Sequence, residues 1–512
     1  MGGSVPVGDE PHARRDNSAA VNPLTNPLPW RYELYKRFKL IPWWFSYNLG
    51  FAEEAVLKDK IVKLGTEIGF QDAWLKKIVR HAVSEFSKKG LGPDYYGYHN
   101  IDHELEATYF TLLAAIGQKE KRLKQEDIKY LFVAALFHDY DPLKQFDKPH
   151  EDAVEWFVRN NEKIKHFIGA VKINLDLVLA LIHRTAYPFS GKIAEHARQR
   201  MNELFTNAGV PEDDVQTRKH FEDLGWFLSV SERIAGYALG DFERAMDLSR
   251  RNAHALGWHP SVICEESVRY FSRFKEEKEM VEKVLEGVPE EYVKRFLNNA
   301  EAFREAWEEE LAVRNAMRRK ELKVVAVVEN TVRLAEFVKR SVLDLYNSLP
   351  IPLRMAEPKF RSSLSSIDTI LLTLRLDNGS GNIVGYAKGG PLEKYEHELR
   401  RGTFDENNGR DNTLYLEPIA IKAGYWGGAG GHYLRLRFLK EAKDMGYEYV
   451  TAYAHRNVID QRMERGEGIE IVQKYDPDKL DYYRYNLKNF AWIDFYPYES
   501  TFQEMLSIPT SQ

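Results

Sequence analysis

The sequence predicts a two-part molecule, an all-α helical bundle followed by an α/β domain. Three observations lead there. From Ala52 to about Phe274, apolar residues recur at spacings of three and four, the period of helices with one buried face. After Leu322 that period gives way to short valine- and leucine-rich runs set between turn-forming residues, the pattern of strands. Between them, from Lys275 to Glu321, Lys and Glu crowd a thin apolar stripe, as in solvated helices.

The elements follow in order. Residues 1–51 read as a flexible arm: Met1 to about Asn26 is polar and rich in Gly, Pro and Asn, and an aromatic-basic segment follows. There Trp43, Trp44, Phe45 and Tyr47 stand behind Lys36, Arg37 and Lys39. Such a segment suits a membrane surface or packing onto the next domain, and we expect the second. Residues 52–274 form the bundle. Trp74, Ile78, Val79, Ala82, Val83 and Phe86 make one helix face, and 105–116 hold another. Gly90-Leu91-Gly92-Pro93 and Val210-Pro211 are loops. Residues 275–321 read as a connector, a pair of amphipathic helices broken near Gly287-Val288-Pro289. Residues 322–512 carry strands at 322–328, 369–376, 383–387, 414–421 and 447–454. A helix through Val332, Phe337, Val338, Val342 and Leu345 follows the first strand, and a helix at 432–445 precedes the last. Asp377-Asn378-Gly379-Ser380-Gly381-Asn382 supplies the turn of a hairpin. This alternation is that of an α/β domain.

At 512 residues the chain has room for two or three domains. Its 72 Lys+Arg against 77 Asp+Glu give a formal net charge of −5, which argues against a nucleic-acid surface by bulk electrostatics. One cysteine, Cys264, excludes an intrachain disulfide and a thiolate metal cluster, and reads as core filling. No apolar run approaches the roughly 18–20 residues of a membrane span. The N-terminus has no apolar segment of a secretory signal, so a cytoplasmic location is expected. Oligomeric state stays open, a homo-oligomer included.

Two stretches carry metal chemistry: Tyr98-His99-Asn100-Ile101-Asp102-His103 and Leu136-Phe137-His138-Asp139-Tyr140. If the first is helical, His99 and His103 share one face. The second ends an apolar run, 130–137, that reads as a buried helix. Its last turn would carry an imidazole and a carboxylate into the interior, where they are costly unless paired or bound to metal. Imidazole plus carboxylate without thiolate suits zinc, iron or manganese, with magnesium on the carboxylate side.

These blocks resemble the HD superfamily of metal-dependent phosphohydrolases, the first being close to the Tyr-His-Asn-x-x-His signature of cyclic-nucleotide phosphodiesterases. The resemblance implies an all-helical bundle, His99 as general acid, and His103, His138 and Asp139 as ligands of one or two divalent ions. It also asks for a late carboxylate. Here Ser231-Glu232 stands where the family usually has Ala-Asp, and Glu232 is the implied ligand. His183 is a candidate for a second metal; a helix-end histidine with a structural partner is the other reading.

A second signal lies downstream. The strand at 414–421 runs into Gly424-Tyr425-Trp426-Gly427-Gly428-Ala429-Gly430-Gly431 and then a helix. Strand, glycine loop and helix start make an anion cradle, since glycines allow close approach and the helix dipole adds to the outward N–H groups. This is similar to the acetyl-CoA-binding core of the GNAT acyltransferases, over roughly 322–498. The resemblance implies an acyl-CoA cofactor held by Ile421, Trp426, Gly427, Gly428, Ala429, Gly430, Gly431 and Asn457. In it Trp426 stands where Arg or Gln is usual and Ala429 replaces the first glycine. Acyl transfer to an amine needs a base, and often an acid for the leaving thiolate. Glu417 is the candidate base and Tyr483 the candidate acid, with Tyr482 and Tyr485 beside it.

The expectation is a bifunctional enzyme. One half hydrolyses a small phosphoester, a nucleotide or cyclic nucleotide among them, and the other transfers an acyl group to an unknown acceptor. Two alternatives stand beside it: a di-iron oxygenase on the same scaffold, which a usable His183 would favour, and a non-catalytic ligand-sensing regulator with one degenerate half.

Overall fold

The computed structural model describes residues 52–92, 95–118, 122–141, 151–258, 260–350, 353–377, 381–400, 402–426, 430–476 and 478–489. The arm assigned to residues 1–51 lies outside them, as do Gly427, Gly428 and Ala429.

Among the described residues, thirteen helices build the N-terminal region: α1 (Ala52–Glu67), α2 (Asp72–Lys88), α3 (Ile101–Gly117), α4 (Gln125–Phe137), α5 (Glu151–Asn160), α6 (Glu162–Val171), α7 (Leu175–His183), α8 (Gly191–Asn207), α9 (Val215–Ala238), α10 (Phe242–Leu256), α11 (Ile263–Arg273), α12 (Lys278–Leu285) and α13 (Glu290–Arg318). Helices α3 and α4 are buried over most of their circumference, as is α9 from Leu224 onward, which places them at the centre. Leu105, Phe110, Leu131, Phe132, Leu228 and Ile234 there are fully buried.

The charged stretch differs from a solvated connector. It does break between α12 and α13, but Tyr292, Phe296 and Phe303 of α13 enter the bundle core. The Phe303 ring meets Tyr237, Phe242 and Phe271. The charges occupy the outer faces, and composition alone hides the inward residues. The break is also fixed to α3 backbone to backbone. A Cβ on Gly117 would lie 2.0 Å from the Gly287 carbonyl oxygen, so only glycine allows this approach.

The C-terminal region is a mixed sheet with helices on both faces. Its strands are β1 (Val324–Val328), β2 (Ile370–Leu376), β3 (Ile383–Pro391), β4 (Thr413–Leu416), β5 (Ala420–Ile421), β6 (Tyr449–His455), β7 (Ile469–Gln473) and β8 (Leu480–Asn486). Their order is β1-β2-β3-β4-β6-β8-β7, with β5 beside β3. All neighbours are antiparallel except β4 and β6. Helices α14 (Glu336–Asn347) and α15 (Glu357–Ser363) cover one face. Helix α16 (Gly430–Asp444) covers the other, and α17 (Arg456–Glu464) follows β6. The sequence reading missed α15, α17, β7 and β8. Their apolar positions are few and partly tyrosine, so the strand period is masked by polar residues between them.

The parallel pair positions the cleft. β4 and β6 are in register from Thr413/Tyr449 to Tyr415/Thr451 and then part. Glu417 N–H still donates to the Lys388 carbonyl at 2.9 Å; the chain then leaves the ladder at Pro418-Ile419, because proline cannot donate to it, and resumes as β5 on β3. β6 meanwhile runs on against β8 to His455.

Candidate functional site

The helical region gathers its ionisable groups where α3, α4 and α9 meet. Asn100 is the N-cap of α3, and its side chain accepts from the His103 N–H at 3.0 Å. The cap starts the helix after His99, so His99 and His103 do not share a helix face. His99 reaches in from the preceding loop, its ring centroid 5.8 Å from that of His103. His138 caps the C-terminal end of α4 and donates from Nδ1 to the Ala135 carbonyl at 2.9 Å. That bond fixes the tautomer and leaves Nε2 as the free donor atom.

The groups converge on Asp139. Its Oδ2 lies 3.0 Å from His103 Nε2, 3.3 Å from His138 Nε2 and 3.9 Å from His99 Nε2. Glu232 of α9 brings Oε2 to 3.9 Å from His103 Nε2. One ligand atom each from His103, His138 and Asp139 falls within a sphere of mutual separation 4.8 Å. His103 Nδ1 and Nε2 and His138 Nε2 are buried yet make no hydrogen bond. Burial works against the Asp139 charge, but the imidazoles of His138, His99 and His103 outweigh it and hold the carboxyl well below its usual range. Burial disfavours a charged His138, and Asp139 and Glu104 overcome that and raise it. Glu232 is pushed up to about 7, chiefly by burial.

Glu104 is the residue the sequence reading missed. It is fully buried, neither carboxylate oxygen has a hydrogen-bond partner, and Oε1 lies 3.3 Å from His138 Nδ1. The run Asp102-His103-Glu104 at the head of an apolar helix was its only signal. Glu104, Asp139 and Glu232 face this centre, whose inner imidazole nitrogens make no hydrogen bond. The donor set, two unpartnered imidazole nitrogens with Asp139 and Glu232, therefore fits a divalent cation. His183 takes no part: it is buried with Nε2 2.9 Å from Glu155 Oε2, and Arg159 and Arg200 complete that network.

In the second half, Glu417 sits at the parting of β4 and β6. Its carboxylate accepts from buried Lys388 Nζ and from the Tyr395 hydroxyl at 2.6 Å, and Lys388 also reaches Ser363 Oγ at 2.7 Å. Burial lowers the Lys388 pKa, with Glu417 opposing. Glu417 is thus a paired carboxylate on the face covered by α14 and α15. Tyr483 lies on the opposite face, in the core beneath α16, where its hydroxyl accepts from Arg462 at 2.6 Å. Strand alternation puts Tyr485 with it and Tyr482 on the Glu417 face, its hydroxyl donating to Asp405 at 2.8 Å.

Trp426 turns its indole N–H to the Ile421 carbonyl at 2.7 Å and packs against the helical region. Gly430 opens α16 against β2: a Cβ there would stand 2.5 Å from Leu374 Cδ2, whereas one on Gly431 would meet Ile421 Cδ1 at an ordinary 3.5 Å. Asn457 lies in the first turn of α17, its N–H donating to His455 Nδ1 at 3.3 Å.

No family model matches the chain, and no curated protein matches it. Among solved structures it is similar to an acetyltransferase of the GNAT family from Staphylococcus aureus Mu50, at 14% identity over 32% of this chain and 99% of that one, with a TM-score of 0.22. A GNAT-family structure from Desulfovibrio desulfuricans shows 16% identity over 32% and 99%, with a TM-score of 0.23. Likeness at this level carries no weight of its own. By its own topology the C-terminal region is a mixed α/β domain with one parallel pair, joined to a helical N-terminal region.

Proposed function

We propose that the chain is a bifunctional enzyme, a metal-dependent phosphoester hydrolase of the HD kind joined to an acyl-CoA-dependent N-acyltransferase. The carrying observation is the buried centre of His103, His138, Asp139 and Glu232, whose imidazole nitrogens are left without hydrogen bonds beside carboxylates. His103, His138, Asp139 and Glu232 would hold the metal. A divalent ion bound there supplies Lewis acidity and an activated water for attack on phosphorus. His99, in the loop and half-exposed, donates a proton to the departing alkoxide. Glu104 holds His138 through its Nδ1 edge.

In the second half the parting of β4 and β6 admits the thioester, and Gly430 and Gly431 at the start of α16 lie where a pyrophosphate would seat, with Ile421, Trp426 and Asn457 beside it. Glu417 is the base for the acceptor amine, held in place by Lys388 and Tyr395. Tyr483, buried across the sheet beneath α16, does not reach the same thioester as Glu417.

Elemental analysis of purified protein, followed by a phosphoester and nucleotide panel with and without chelator, tests the first activity. Metal should be present, and Asp139→Ala should lower both metal content and hydrolysis; unchanged stoichiometry in that variant refutes the assignment. Calorimetry with acetyl-CoA tests the second, and no binding at millimolar ligand refutes it.

A further inference from the structure

Helix α10 belongs to the helical region, yet one stripe of it touches the other domain. Arg250, His254 and Gly257 follow at i, i+4 and i+7, so they share a face. Arg250 lies over the Trp426 ring, 5.1 Å from its centroid, and donates from Nη1 to the Ser348 carbonyl at the end of α14. His254 donates from Nε2 to the Asp478 carbonyl at 2.8 Å and meets His455 edge-on at 4.7 Å. Gly257 caps the helix at φ +69°, and a Cβ there would come 2.9 Å from Asn457 Nδ2. The stripe therefore touches both Trp426 and Asn457, two of the residues assigned to the cofactor.

The charge on this stripe is unmatched. Arg250 Nε is buried without a hydrogen-bond partner, and no carboxylate of the described residues pairs with its guanidinium. Burial draws its pKa below the ordinary arginine value, with Asp247 only partly opposing. On α13, by contrast, Arg314 is ion-paired with Glu310 at 3.9 Å. Buried guanidinium groups are costly unless an anion meets them. Trp426, which occupies the place of a cationic or amide side chain, supplies no such charge to the groove.

We propose that α10 forms one wall of the acyl-CoA site, with Arg250 as the cation that meets a cofactor phosphate across the domain boundary. The inference rests on the acyl-CoA reading above and goes beyond it: the site is built from both halves of the chain. Arginine suits the role because its planar fork binds phosphate while its face stays on the indole.

The test uses the full-length protein, with calorimetry of CoA and of pantetheine, which lacks the phosphates. Wild type should bind CoA more tightly than pantetheine. Arg250→Gln, which keeps a donor for Ser348, should weaken CoA by about tenfold or more and leave pantetheine unchanged. Arg250→Lys should fall between, because it keeps the charge and loses the fork. Metal content of the helical half, unchanged in both variants, reports that the fold is intact. Equal CoA affinity in wild type and both variants overturns the proposal and leaves the acyl-CoA reading standing. Tighter CoA binding in Arg250→Gln also overturns it, making α10 a cover over the groove. A wild type that binds neither compound defeats the acyl-CoA reading itself.

Discussion

Replacing Glu104 with Gln removes one buried negative charge and keeps the side chain's shape. The structure makes two effects of opposite sign follow. In the metal-free protein Glu104 is fully buried with neither oxygen hydrogen-bonded, a state that costs on the order of 1–3 kcal/mol. Gln in its place still strands polar atoms but no charge, so the metal-free variant should be more stable by about 1 kcal/mol. Metal affinity should fall. Glu104 Oε1 is 3.3 Å from His138 Nδ1, the edge of the ring turned away from the metal ligands. Loss of a carboxylate behind a ligating histidine weakens metal binding by roughly 10–100-fold. The low end is expected, because His138 Nδ1 keeps its bond to the Ala135 carbonyl at 2.9 Å and the ring stays oriented. Tenfold corresponds to about 1.4 kcal/mol. Competition titration against a chromophoric chelator, with zinc and with manganese, reads the affinity; chemical denaturation of the chelated protein reads the stability. Affinity and stability both unchanged would refute the reasoning. A fall beyond about a thousandfold, more than a supporting carboxylate is worth, would make Glu104 a direct ligand.

Three further outcomes are expected. His99→Ala should keep its metal content and lose about 10²–10⁴ in kcat on the responsive phosphoester, the worth of a positioned proton donor, whereas loss of metal together with rate would make His99 a ligand. Gly431→Val should weaken CoA binding with little change in melting temperature, while Gly430→Val should lower the melting temperature because its Cβ would meet Leu374 Cδ2 at 2.5 Å; equal stability of the two variants would contradict the packing. His220 is raised above its ordinary pKa, first by its hydrogen bond to Asp127 at 2.8 Å. The stability this pair contributes is full below the ordinary histidine value of about 6.5 and is lost as pH rises through the raised one. His220→Ala should flatten the pH dependence of stability in that window, by a small amount because the ring is partly exposed.

The helical period, the turn at 377–382 and the two motif blocks carried much of this architecture in one dimension. His138-Asp139 was legible because an imidazole and a carboxylate at the end of an apolar run must meet something. The place of His99 was not, since whether Asn100 continues the helix or caps it depends on its side chain finding the His103 N–H. Glu104 follows a ligand directly and looks like any helical glutamate; only the packing of α3 against α4 strips it of water. Lys388 likewise sits in a strand, and nothing local says that it ends 29 residues away from its partner Glu417 in a buried ion pair. The stripe on α10 has helical spacing, but its partners come from the other domain and no local pattern encodes them.

The long helix α13 decides where this chain can be divided. It has 29 residues, about 44 Å at 1.5 Å per residue, and residues 319–323 alone separate it from β1. A clone ended at residue 274, where the charge-rich stretch begins, would discard Tyr292, Phe296 and Phe303. A buried aromatic removed to alanine costs about 3–5 kcal/mol, and losing three such rings would exhaust the usual stability of a domain, about 5–15 kcal/mol. Any experiment that assigns the two proposed activities to separate polypeptides must therefore cut after α13, and it will still expose Arg250 and Trp426 to water on either side of the cut. A protease offered the intact protein meets a helix seated in a core where sequence composition suggests a linker.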